Sequence, residues 1–184
     1  MSTIYLTNLA RASAVRVGRS TRFAGEVGPG PVLGILRHPP AWARGLLAGH
    51  VVSLMPPATL LNKVRAGGIE FGVYREQLLV RWGAFGQYEP GRLTQGVRVG
   101  ANDPEARGWN GAWWRNGGPV PDGATLCCVC ERADACHRSV AAEVLVGAGW
   151  QVVLDGEVVG ASASGKPLGF GPRDAGSNPA APSS

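Results

Sequence analysis

Between Cys127 and Ser139 the chain gathers all four of its cysteines and one of its three histidines, in the order Cys127-Cys128-Val129-Cys130-Glu131-Arg132-Ala133-Asp134-Ala135-Cys136-His137-Arg138-Ser139. The flanks of this stretch constrain the fold. The apolar run 124–130 follows the turn signal Pro121-Asp122-Gly123 and reads as a buried strand. Asp134 reads as an N-cap, after which Ala141, Val144, Leu145 and Ala148 recur at helical spacing until Gly147 and Gly149. Gln151-Val152-Val153-Leu154 then reads as another strand. A strand, loop, helix and strand, with ionisable side chains where the first strand ends, is how open α/β sheets hold ligands. The expected fold is therefore α/β: a Rossmann-like three-layer sandwich with a largely parallel sheet over residues 1–158. A low-complexity tail over 159–184, rich in Gly, Ala, Ser and Pro, is expected to be disordered.

Three readings of the cysteine stretch stay open. Cys136 in a helix's first turn would meet unpaired N–H groups and the positive end of the helix dipole, which favour a thiolate. Cys136 would then be a nucleophile, His137 an acid or base and Arg138 an anion clamp. In the second reading Cys128, Cys130, Cys136 and His137 bind zinc, which suits three thiolates and an imidazole. Zinc ranks below a metal-free site here. Cys128 and Cys130 are separated by a single residue, tighter than the usual structural spacing, and adjacent helical residues point about 100° apart. In the third reading the cysteines pack as small hydrophobes. That reading is preferred for Cys127, which strand alternation sets opposite Cys128 and Cys130.

The stretch resembles the domain of unknown function 488 family. Its members carry a strand ending in Cys-x-Glu, a short loop, Cys-His-Arg opening a helix rich in Leu and Ala, then Gly-Trp and a strand. The matching residues here are Cys136-His137-Arg138-Ser139, Ala142-Glu143 and Gly149-Trp150-Gln151-Val152-Val153. The family's Glu would be Glu131, which directly follows Cys130 and lies one residue closer to Cys136 than the pattern has it. The resemblance makes Glu131 a further catalytic candidate. Val32-Leu33-Gly34-Ile35-Leu36-Arg37 before Pro39-Pro40 resembles the family's second strand, and the segment from Leu54 to Arg75 its helical middle. The resemblance covers about residues 3 to 155. It implies a compact α/β domain and no particular activity.

Net charge is +5, and of the 18 basic residues only Lys63 and Lys166 are lysine. Arginine suits phosphate and carboxylate recognition, although a GC-rich genome gives the same bias. The expected partner is anionic, either a small molecule or nucleic acid. No apolar run approaches the ~20 residues that span a bilayer, and no basic-then-apolar leader opens the chain. No membrane partner is expected, and the clustered cysteines read as cytoplasmic thiols.

Elsewhere, Thr3 to Leu9 reads as a first strand and Val32 to Leu36 as a second. In a parallel sheet Arg37 and His38 would stand at the same edge as Cys130 and Cys136, which makes Arg37 an anion-binding candidate. Arg11, Arg16, Arg19 and Arg22 either grip phosphate or line a solvated loop. Ala41 to Ala48 and Thr59 to Arg65 read as short helices. Phe71 to Trp82 reads as an amphipathic helix whose Tyr74 either reaches a ligand or packs. Trp113 and Trp114, in a glycine-containing loop beside Arg107 and Arg115, either stack bases or anchor the loop. Asp174 to Ala180 can be back-translated into the T-arm of a transfer RNA gene. That suggests a phage or mobile-element setting, which the nucleotide sequence of the gene's 3′ end decides.

Overall fold

The computed structural model describes residues 1–83, 85–99, 102, 104, 107–109 and 112–160. The tail from residue 161 onward lies outside the described residues. In chain order the elements are β1 (Thr3–Asn8), α1 (Leu9–Arg16), β2 (Val32–Gly34), β3 (Gly49–His50), α2 (Ala58–Arg65), α3 (Phe71–Trp82), β4 (Thr94–Val99), β5 (Arg107–Trp109), β6 (Ala112–Pro119), β7 (Thr125–Cys128), α4 (His137–Gly147), β8 (Gln151–Leu154) and β9 (Glu157–Val159).

The strands form one sheet in the order β5-β6-β4-β3-β2-β7-β1-β8-β9. From β3 to β8 every neighbouring pair is parallel. The outer strands β4, β5, β6 and β9 are antiparallel to their neighbours. The expected parallel pairing is found in the centre of the sheet, and the whole sheet is mixed. Central strands are buried on both faces, which is why they read as continuous apolar runs.

Strand alternation divides the core. On β7, Cys127 packs with Leu9, Ala12, Val32, Leu36 and Ala43, so α1 covers that face. Cys128 packs on the other face with Ile4, Leu6, Val140, Val144 and Trp150, under α4. Each such side chain, fully buried, contributes about 1.5–3 kcal/mol. Helix α3 lies outside α4, tied to it by Arg75 donating to Glu143 at 2.5 Å. Among the described residues no helix is long and apolar enough to cross a membrane.

Several expectations are corrected. Ala41 to Ala48 is not a helix; only one 3-10 turn, Ala41–Ala43, forms. The Ala48 N–H instead bonds the Val32 carbonyl at 2.9 Å, drawing the chain into β3. The tryptophan segment is not a loop but a hairpin: β5 pairs with β6 through Arg107↔Trp114 and Trp109↔Ala112. The first half of the stretch from Arg11 to Arg22 lies in helix α1, and two of its arginines serve the fold. Arg11 pairs with Glu26 at 3.1 Å, and Arg16 donates to the carbonyls of Gly28 and Gly30.

His50 closes β3, buried, with the Trp114 ring edge-on at 4.6 Å. Burial pushes its pKa down from 6.5 to about 4, with the Leu36 carbonyl pulling up and Arg98 pulling down. The folded state therefore keeps the ring neutral while the unfolded chain protonates it. The stability this confers is complete above pH 6.5 and is lost as pH falls from 6.5 towards 4. The melting temperature should drop across that window. His50→Phe, which keeps a ring against Trp114 but cannot titrate, should flatten part of the drop; an unchanged slope would place the acid sensitivity elsewhere.

Candidate functional site

The site forms where β7 ends. Past Cys128 the chain turns out of the sheet, and buried hydrogen bonds define the turn. Asn8, at the end of β1, caps α1 by accepting from the Ala10 N–H at 2.7 Å. Its amide donates to the Val129 carbonyl at 3.1 Å and to the Cys130 carbonyl at 2.9 Å. The Arg138 guanidinium donates to the carbonyls of Cys130 (2.9 Å) and Glu131 (3.2 Å) and to the Asp155 carboxylate (2.6 Å). Arg138 is 0% exposed. It is not the expected anion clamp, because every assigned bond holds the chain together and it does not line the cavity described below.

Helix α4 starts two residues later than the cap expected at Asp134. Asp134 pairs with exposed Arg132 instead. Cys136 is the N-cap, in extended conformation, and its sulfur accepts from the Arg138 N–H at 3.5 Å. The cap places Cys136 outside the helix proper, so it and His137 converge where helical spacing would have splayed them. Cys136 lies 3.7 Å and Cys128 3.9 Å from the His137 Nδ1. The Cys128 and Cys130 sulfurs are 3.6 Å apart, and those of Cys128, Cys130 and Cys136 all lie within 4.8 Å of one another. These three thiols and the His137 ring are the groups that could hold a metal. The His137 Nε2 is 2.8 Å from the Ile35 carbonyl. A carbonyl only accepts, so Nε2 carries the proton and Nδ1 the lone pair.

Among the clustered thiols the pKa falls at Cys130 and rises at Cys136. For Cys136, a hydrogen bond with Cys128 lowers the pKa, but Cys130's hydrogen bond and charge, with burial, raise it more, to about 11. Cys130 moves the opposite way: hydrogen bonds from Cys128 and Cys136 hold it well below the usual thiol range, aided by His137 and Arg138 against burial. Burial pushes Cys127 up to about 12, in keeping with its packing role. Burial also pushes His137 down to about 4, so the ring is neutral.

Beside the cluster lies a cavity of about 270 Å³. It is lined by the cluster residues Cys128, Cys130, Cys136 and His137, by apolar Leu36, Pro56, Leu61, Val64 and Phe71, and by Arg37, His38 and Arg65. Arg37 is at the cavity as expected, its Nε donating to the Pro56 carbonyl at 2.5 Å. Among the described residues no Asp or Glu lines it. Tyr74 also lines it, and its hydroxyl is buried without a hydrogen-bond partner among the described residues. Burial raises that phenol, and the three cysteines raise it further.

Two expected site residues are not brought here. Glu131 has an exposed side chain away from the cavity. Trp114 packs on His50, and the Trp113 side chain lies outside the described residues. Conversely, Asn8, Asp155 and Arg65 were not expected. Asn8 had a legible signal, as an Asn between a strand and Leu9-Ala10 is a good N-cap. Comparisons with protein-family models, curated proteins and solved structures give no match to this chain.

In the reduced, metal-free chain, Cys130 should be the first cysteine alkylated by iodoacetamide near neutral pH, read by peptide mass spectrometry. First modification at Cys136 or Cys127 would contradict this order.

Proposed function

We propose that this chain is a small-molecule-handling α/β domain, an enzyme or enzyme-derived, that takes a compact amphipathic anion into the cavity at the end of its parallel strands. The observation that carries the reading is the cavity's lining. Arginines 37 and 65 supply positive charge, five apolar side chains offer a surface to the body of a ligand, and the cysteines and His137 add ionisable groups. A carboxylate or phosphate would sit at the guanidiniums. The body would lie against Leu36, Pro56, Leu61, Val64 and Phe71, and the ligand would also meet the Tyr74 hydroxyl and the cysteine–histidine group. The volume, near the low end of the roughly 300–1,000 Å³ of ligand pockets, favours a small ligand. The position also favours one, because open parallel sheets take ligands at the carboxyl ends of their strands. A nucleic-acid partner has less support, since Arg11 and Arg16 are bonded within the fold.

A set of matched ligands tests this reading. Benzoate and hexanoate should bind more tightly than benzyl alcohol and hexanol, and benzylamine and hexylamine should bind least. Arg65 is exposed, so Arg65→Gln should weaken the carboxylates by only about fivefold at low salt, with less effect at high salt. Equal binding of anions, alcohols and amines would overturn the proposal.

A further inference from the structure

Three sulfurs converge beside the cavity, and the His137 Nδ1 lies next to two of them. The three sulfurs of Cys128, Cys130 and Cys136 lie within 4.8 Å of one another, with Cys128 and Cys130 at 3.6 Å. His137 Nδ1 lies 3.7 Å from Cys136 and 3.9 Å from Cys128. A tetrahedral ion with bonds of about 2.3 Å to sulfur and 2.0 Å to nitrogen sets sulfur–sulfur edges of about 3.8 Å and sulfur–nitrogen edges of about 3.5 Å. The three assigned separations fall close to those edges, whereas a disulfide needs about 2.0 Å. We infer that Cys128, Cys130, Cys136 and His137 hold one zinc ion.

The imidazole supplies an independent reason. Its Nε2 is held at 2.8 Å by the Ile35 carbonyl, so the lone pair sits on Nδ1, the atom beside the sulfurs. Ligating histidines are characteristically fixed by such a bond at the other nitrogen. The surroundings also suit the charge. Three thiolates and a dication leave one net negative charge. The Cys136 sulfur already accepts the Arg138 N–H, and the Tyr74 hydroxyl, buried without a partner among the described residues, lines the same cavity. Three thiolates and an imidazole, with no carboxylate, suit zinc and not magnesium or calcium.

Cys127 shows what packing alone looks like. It is buried on the opposite face of the sheet among Leu9, Ala12 and Val32. Packing does not require three further sulfurs to face one another beside an oriented imidazole. The ion would tie the end of β7 to the start of α4 beside the cavity. This inference is independent of the cavity's ligand, because metal content is measured with no ligand present.

The full chain, reduced and stripped with a chelator, is titrated with zinc and separately with cobalt(II). The expected result is one ion per chain by native mass spectrometry, with a cobalt spectrum showing thiolate-to-metal charge transfer. Cys130→Ser and His137→Gln should each weaken zinc at least about tenfold, while Cys127→Ala leaves the affinity unchanged. Far-UV circular dichroism reports whether each variant folds; if a ligand variant does not, the wild-type stoichiometry and cobalt spectrum decide. Substoichiometric zinc, a cobalt complex without thiolate charge transfer, or equal loss in Cys127→Ala and Cys130→Ser would overturn the inference.

Discussion

A positive charge sealed from water organises this molecule. Arg138 has no solvent exposure, and its guanidinium reaches the Asp155 carboxylate and the carbonyls of Cys130 and Glu131. Removing one partner of such a buried pair costs about 3–5 kcal/mol. The surface pair Arg132–Asp134, a few residues away, is worth about 0–1 kcal/mol. The buried arginine therefore decides the path of the chain. It joins the loop after β7, the start of α4 and the turn after β8, where Asp155 adopts φ 47° and bonds the Leu6 carbonyl through its N–H. Residues two apart on a straight strand are about 6.6 Å apart, yet the Cys128 and Cys130 sulfurs are 3.6 Å apart. The chain leaves the sheet after Cys128, and Asn8 and Arg138 both hold the carbonyls of that bend.

The arginines have several distinct roles. Arg11, Arg16 and Arg138 satisfy carbonyls and carboxylates within the fold. Arg37 and Arg65 line the cavity. Side chains of one type, all consistent with anion binding when read along the chain, thus do different work once burial is known. The soft donors and the basic residues share one cavity.

Much of the centre was legible in the sequence. Helix α3 and strand β8 stand where hydrophobic periodicity put them, and β7 follows its turn signal. The alternation that set Cys127 apart from Cys128 holds because one sheet face is covered by α1 and the other by α4. What was not legible came from long-range partners. Asp134 is the better intrinsic cap, but the bonds of Arg138 decide where α4 begins, and Asp155 lies 17 residues further on. Treating Cys136 as a helical residue splayed it from His137 and argued against a shared ion; as the N-cap it converges with the ring. The β5–β6 hairpin was missed although Asn110-Gly111, a strong two-residue turn signal, separates the paired Trp109 and Ala112. Glycine content there was read as loop and the turn chemistry overlooked.

The central claim is that the bend held by Asn8 and Arg138 brings three sulfurs and one imidazole nitrogen around a single ion. X-ray absorption at the zinc edge of the loaded chain measures that directly. The expected coordination is three sulfur scatterers at about 2.3 Å and one nitrogen at about 2.0 Å, with multiple scattering from an imidazole ring. A shell of oxygen and nitrogen alone, or of two sulfurs or fewer, would contradict it.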